Sequence, residues 1–124
     1  MNTNKIKVTK IKYKELEILH RELEYYTNHV AETSLKTDFF NAILLMDILN
    51  QLYYSLRNKI ESDKDTYQIS FTLSEAVLII KCYCYARPER TEIDKNVLLQ
   101  LSSFFDQKIK SLTNSNKRER ILIA

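Results

Sequence analysis

The chain has 124 residues, none of them glycine, and a formal net charge of +3 at pH 7. The lack of glycine excludes the P-loop, the dinucleotide fingerprint and the nucleophile elbow, because each of these motifs needs glycine at fixed positions. A content of 44% hydrophobic and 28% charged residues is typical of one globular domain, and the excess of Lys, Asn, Ile and Tyr over Ala indicates an AT-rich coding sequence.

Two short stretches, 6–8 and 67–71, alternate apolar and polar residues with the period of a strand. Each stretch leads into a predicted helix, and in an up-down-up-down bundle both would lie at the same end. The sequence leaves two alternatives open here. The stretches either pair as a minimal two-stranded sheet or form extended loops that cover the end of the bundle.

The first two helices are predicted over residues 10–32 and 38–61. Apolar residues of the first helix recur at spacings of three and four, which is typical of helices that pack at a shallow angle. The second helix follows Thr37 or Asp38, either of which suits an N-cap, and its apolar arc is broad.

The start of the third helix has the clearest local pattern in the chain. Thr72 and Glu75 have the spacing of a capping box, and Phe71 and Ala76 are placed as a hydrophobic staple. Residues 76–86 are almost entirely apolar, so this helix is expected to be buried around most of its perimeter until Pro88 ends it.

A fourth helix is predicted over residues 92–112. The four helices together predict an all-α fold, a four-helix antiparallel bundle formed by a single domain of residues 1–112. Residues 113–124 are expected to form a basic and apolar C-terminal tail. The residues expected in the common core are Leu16, Leu19, Leu23, Leu49, Leu52, Leu56, Val77, Ile80, Cys84, Val97, Leu101 and Phe104.

Few residues suggest catalysis or metal binding. His20 and His29 lie nine residues apart on one helix and point to nearly opposite sides, and no HExxH motif occurs. Cys82 and Cys84 point about 200° apart on a helix, without a neighbouring base, so we expect inert free thiols. The sequence therefore predicts no enzyme activity, no cofactor, no metal and no small-molecule substrate.

The longest stretch without Asp, Glu, Lys or Arg covers residues 96–105, about half the length of a membrane-spanning helix. The lysines near the N-terminus are not followed by the apolar segment of a secretory signal. Together with the two unpaired cysteines, these features predict a cytoplasmic protein that does not associate with membranes.

Apolar residues that a lone bundle would leave exposed lead to the principal functional hypothesis. They form a second stripe on the first helix, one position on the polar side of the fourth helix, and the end of the tail. We expect these residues to dock an apolar helix surface on a protein partner or on a second copy of the chain. They are Ile11, Ile18, Tyr25, Leu99, Ile121, Leu122 and Ile123.

The alternative hypothesis is nucleic-acid binding by the basic ends of the chain, which flank an acidic middle. Residues 1–14 contain five lysines and no acid. Phosphates attract such clusters, although the charge excess is small and lysine outnumbers arginine. The contact residues under this hypothesis are Lys5, Lys7, Lys10, Lys12, Lys14, Lys117, Arg118 and Arg120.

Overall fold

The computed structural model describes residues 5–115. Within this range the four expected helices are present, but the two alternating stretches form paired strands, so the fold is not all-α. The elements in chain order are β1 (Lys5–Lys12), α1 (Tyr13–Thr37), α2 (Phe39–Glu61), β2 (Thr66–Thr72), α3 (Leu73–Cys84) and α4 (Glu92–Ser115).

β1 and β2 pair antiparallel, with Lys5 opposite Thr72 and Lys12 opposite Thr66. The register shifts by one residue between Val8 and Ile11. The alternative of two unpaired loops is therefore ruled out for these residues.

The start of the first helix differs from its prediction. Residues 10–12 belong to β1, and α1 begins at Tyr13. The side chain of Ile11 lies on the inner face of the strand and is only 2% exposed. The sequence interpretation extended the helical spacing backwards through a residue that follows the period of a strand.

The core is confirmed for α1 and α2, where all six predicted leucines are buried. The helix phase of α3 was wrong for Val77 and Cys84, whereas Ile80 of α3 and Leu101 and Phe104 of α4 pack half-buried against the core. Val77 is 39% exposed and Cys84 is exposed, whereas Ala76, Ile79 and Cys82 are buried. Since α3 is apolar almost all round, hydrophobic period alone does not determine which side faces inward. In α4 the buried side chains are displaced by one position, to Leu98 and Phe105.

The element order is a β-α-α unit that occurs twice, as residues 5–61 (unit 1) and 66–115 (unit 2). Burial follows the same residue-by-residue pattern over residues 12–22 and 72–82. Within each unit the two helices pack mainly against each other, α1 on α2 and α3 on α4. An antiparallel pair of strands has a local twofold axis, and the shared element order and burial pattern of the units are consistent with an approximate twofold relation about it.

The units differ in the length of their first helix. α1 has 25 residues and α3 has 12, so α1 is about 20 Å longer than α3 at 1.5 Å per residue. Between units, Asp63 adopts the left-handed region with φ 54°, which aspartate tolerates better than most residues other than glycine. None of the helices described over residues 5–115 has the length and apolar character needed to cross a membrane.

Candidate functional site

The outer face of the two-stranded ribbon is fully exposed and polar. Strand side chains alternate between faces, so the apolar residues of both strands turn inward onto the helices while the polar residues turn outward. None of the nine outward residues is acidic. They are Lys5, Lys7, Thr9, Lys10, Lys12, Thr66, Gln68, Ser70 and Thr72.

The two strands present different chemistry on this face. Each outward lysine of β1 lies beside a hydroxyl or amide side chain of β2, with Lys5 opposite Thr72 and Lys7 opposite Ser70. The register shift exposes both Thr9 and Lys10. The face is therefore a row of cations beside a row of neutral hydrogen-bonding groups.

The inner face fixes the ribbon to the helices. Ile6 and Phe71 are buried, and the ring of Phe71 packs edge-on against Phe105 of α4, with centroids 5.1 Å apart. At the ends of the strands, the backbone N–H of Lys12 donates to Glu15 Oε1 at 2.9 Å, and the N–H of Thr72 donates to Glu75 Oε1 at 2.8 Å. These contacts hold the ribbon in place through its inner face and its ends.

The structure brings four of the predicted nucleic-acid contacts together on this face, namely the lysines of β1. Lys14 is exposed in the first turn of α1, directly after the ribbon. The other predicted contacts, Lys117, Arg118 and Arg120, lie outside the described residues. Sequence reasoning missed the outward residues of β2, although the alternation in residues 67–71 already separates Gln68 and Ser70 from their apolar neighbours.

The predicted protein interface is not a continuous surface over the described residues. Ile11 and Ile18 are 2% and 4% exposed, so the expectation that both stand in water is wrong. Ile11 faces inward from a strand, and Ile18 is buried on α1. Tyr25 is exposed under the guanidinium of Arg87, which lies 4.0 Å from the ring centroid, and Leu99 is exposed on α4. The remaining predicted positions, Ile121, Leu122 and Ile123, lie outside the described range.

Four of the exposed large apolar residues in the described part of the chain instead lie together at the start of α2, directly after the turn from α1. They are Phe39, Phe40, Ile43 and Leu44, and Phe40 is 81% exposed. We call these four residues the turn patch. Phe39 and Ile43 belong to the broad apolar arc of the second helix noted from the sequence. Because this arc is wider than one packed face requires, some of its residues stay exposed.

A buried charge cluster joins the two units. Glu22 of α1 is 0% exposed, and its carboxylate accepts hydrogen bonds from Nε and Nη2 of Arg87 and from Nε of Arg90 at 2.8 Å. Burial by itself raises the pKa of Glu22, but the hydrogen bonds and charges of Arg87 and Arg90 outweigh it, so the pKa lies below its ordinary value. Arg90 also donates to the carbonyl oxygens of Cys82 and Tyr83 and so caps the end of α3.

A second ion pair crosses the units beside this cluster. Nη2 of Arg21 lies 2.6 Å from Oδ1 of Asp94, the residue that also accepts the backbone N–H of Thr91 at the start of α4. Burial tends to raise the pKa of Asp94, but hydrogen bonds from Thr91 and the charge of Arg21 hold it below its ordinary value. These guanidinium groups are already bound to carboxylates, so the cluster holds the units together.

Among residues 5–115, no three His, Cys, Asp or Glu side chains gather as a metal site would require. The outer face of the ribbon, with lysines along β1 beside neutral hydrogen-bonding groups along β2, is the candidate site. Comparison of the chain with protein-family models, with curated proteins and with solved structures finds no match.

Proposed function

We propose that the protein is a non-enzymatic, cytoplasmic protein that binds duplex DNA by inserting its two-stranded ribbon into the major groove. The observation that carries this proposal is the outer face of the ribbon, which has lysines along β1, hydrogen-bonding groups along β2 and no acid among its outward residues.

The dimensions of a two-stranded ribbon suit this groove. Neighbouring strands lie about 4.8 Å apart, and the major groove of B-DNA is about 12 Å wide and admits such a ribbon. Outward side chains of one strand recur every ~6.8 Å, which is about twice the 3.4 Å rise between base pairs. Double-stranded RNA is a poorer match, because its major groove is too deep and narrow for side chains to read.

The lysines predict how strongly binding depends on salt. If all five cations at residues 5, 7, 10, 12 and 14 neutralise phosphates, the slope of log K against log salt is about −4.5. A fourfold rise in salt, from 50 to 200 mM, then weakens binding roughly 500-fold.

The test compares two double variants of equal net charge. Lys5→Glu with Lys7→Glu reverses two charges on the ribbon, whereas Lys36→Glu with Lys81→Glu reverses two exposed charges on helices. Lys36 lies about 35 Å along α1 from its start at Tyr13. Fluorescence anisotropy with random-sequence duplex DNA at 50 mM salt is expected to show loss of binding for the first pair and near-normal binding for the second.

Circular dichroism and thermal melts of both double variants check that each is folded. Equal weakening by both pairs would mean that only net charge matters and would contradict binding by the ribbon. Tighter binding to duplex RNA than to duplex DNA would contradict insertion into the major groove.

The turn patch favours a second candidate function, self-association. Exposed apolar patches on the order of 400 Å² are often functional. Two copies that face each other would bury about 800 Å², half of a standard interface of about 1,600 Å², so this association would be weak and concentration-dependent. This self-association would use an apolar helix surface, as the sequence analysis expects, but the contacting residues would be those of the turn patch.

Sedimentation velocity over a range of concentrations tests this second candidate. The unaltered protein is expected to show a rising average mass, and Phe40→Glu is expected to remain monomeric. Ser55→Glu, at an exposed position of the same helix, serves as the control and should behave like the unaltered protein. A constant monomeric mass at every concentration would eliminate self-association.

A further inference from the structure

We infer that the DNA site is non-palindromic and that one chain occupies it in a fixed orientation. This inference rests on the proposed function and concerns which duplexes the ribbon recognises. It follows from two observations, that one chain supplies both strands and that the strands differ in chemistry at every equivalent outward position.

The first observation determines stoichiometry. DNA-binding dimers of identical subunits recognise sites whose symmetry mirrors their own twofold axis. Here β1 and β2 belong to the same chain and complete the ribbon without a second copy. One chain per site is therefore sufficient, and nothing in the ribbon requires two identical half-sites.

The second observation comes from aligning the units about their approximate twofold axis. The pairing of Lys5 with Thr72 has its counterpart in the pairing of Lys12 with Thr66. Apart from Thr9, the extra exposed residue at the register shift, each outward position of β1 therefore has an equivalent on β2. Unit 1 has lysine at each of these positions and at the next exposed position on its helix, and unit 2 has a neutral polar residue. The equivalent pairs are Lys5 and Thr66, Lys7 and Gln68, Lys10 and Ser70, Lys12 and Thr72, and Lys14 and Ser74.

These side chains favour different DNA groups. A lysine ammonium only donates hydrogen bonds, so β1 is suited to phosphate oxygens or to the O6 and N7 acceptors of guanine. The amide of Gln68 both donates and accepts, which matches the N6 and N7 edge of adenine. The two strands lie side by side along the ribbon and therefore favour different groups on the duplex, with Gln68 near one end only. Reversing the protein on the duplex exchanges favourable contacts for unfavourable ones.

Selection from a random-sequence duplex library, followed by sequencing of the bound fraction, tests the sequence preference. We expect a consensus without twofold symmetry and, by native mass spectrometry, one chain per duplex. In Gln68→Ala the preference should weaken in one half of the consensus only. A palindromic consensus, or two chains on each duplex, would overturn this inference and leave DNA binding by the ribbon intact.

Orientation is tested with a tethered DNA-cleaving reagent, such as an iron chelate attached to a cysteine. Ser74→Cys and Lys14→Cys place the tether at equivalent positions of the two units, each combined with Cys84→Ser to remove the exposed native thiol. On the selected duplex, each labelled variant is expected to cut on one side only, and the two variants on opposite sides. Equal cutting on both sides by either variant would refute a fixed orientation, whereas absence of any duplex binding would refute the proposed function itself.

Discussion

Replacing Glu22 by glutamine should destabilise the fold far more than any exposed carboxylate substitution on α1. Glutamine has nearly the volume of glutamate, so the change removes charge without leaving a cavity. The glutamine side chain accepts hydrogen bonds through one oxygen only, and its NH₂ group faces a second donor. Arg90, 8% exposed, would then lie in the interior without a counter-charge, and Arg87 would keep only its 3.5 Å contact with the exposed Glu89.

The structure allows the magnitude to be worked out in two ways. The carboxylate accepts three hydrogen bonds from two guanidinium groups, and loss of two of them at about 1.5–3 kcal/mol each amounts to roughly 3–6 kcal/mol. Breaking a buried ion pair by removal of one partner typically costs about 3–5 kcal/mol. Both routes predict a loss of about 4 kcal/mol, a large part of the roughly 5–15 kcal/mol by which domains are stable.

Urea unfolding at pH 7, followed by circular dichroism, measures this loss. With a slope of about 2 kcal/mol per molar urea, the midpoint of Glu22→Gln should fall by about 2 M. Glu24→Gln is the matched control, because Glu24 lies exposed on the same helix and such changes usually stay within about 0.5 kcal/mol. The reasoning fails if the free energies of unfolding of the two variants differ by less than about 1 kcal/mol, twice the usual effect of an exposed substitution. The buried cluster would then not hold the units together.

Three further predictions concern stability and reactivity. Thr72→Ala removes the hydroxyl that accepts the N–H of Glu75 at 3.1 Å and should lower the free energy of unfolding by about 1 kcal/mol in the same assay. Burial raises the pKa of Cys82 to about 12, so a thiol reagent at neutral pH should modify the exposed Cys84 quickly and Cys82 only on unfolding. Equal rates of modification of the two thiols in the folded protein would contradict the structure. The pKa of Glu22 is lowered from an ordinary 4.5, so the ionised carboxylate stabilises the fold above that pH, and this contribution is lost as the pH falls through the pKa of the folded state. Glu22→Gln lacks this contribution and should therefore lose less stability between pH 6 and pH 3 than Glu24→Gln.

The sequence was sufficient to predict the six buried leucines of α1 and α2. In α1, charged residues separate the apolar positions and so determine the helix phase. The sequence was insufficient for α3, because an almost uniformly apolar segment buries equally well in several rotations. In the folded chain Ile79 and Cys82 face inward, and the Cys82 thiol contacts the backbone of Glu22 on α1. The N-terminus of α3 was predictable all the same, since the capping box of Thr72 and Glu75 is local chemistry.

Half of the candidate site could be found from the sequence and half could not. The lysines were evident as a run of charge without acids. Their partners on β2 were not identified, because the alternation in residues 67–71 separates outward from inward residues but does not show that they pair with β1, about 60 positions away. The repeat was equally hidden, since residues 12–22 and 72–82 share only one identical pair, Glu15 and Glu75. What the two units share is a pattern of burial.

The approximate twofold axis explains why a single chain suits this arrangement. Glu22 and Cys82 occupy equivalent positions in the two units, and they touch, since the Cys82 thiol donates to the carbonyl oxygen of Glu22 at 3.4 Å. In a dimer of identical units, two glutamates would meet here, and two buried carboxylates at close range cannot both remain ionised. One chain allows glutamate on one side of the axis and a neutral thiol on the other, so that two arginines can surround a single carboxylate. The same freedom lets β1 carry lysines while β2 stays neutral, which identical strands could not do. The buried difference between Glu22 and Cys82 thus determines how the units pack together. The exposed difference between β1 and β2 makes the two orientations of the ribbon on a duplex inequivalent.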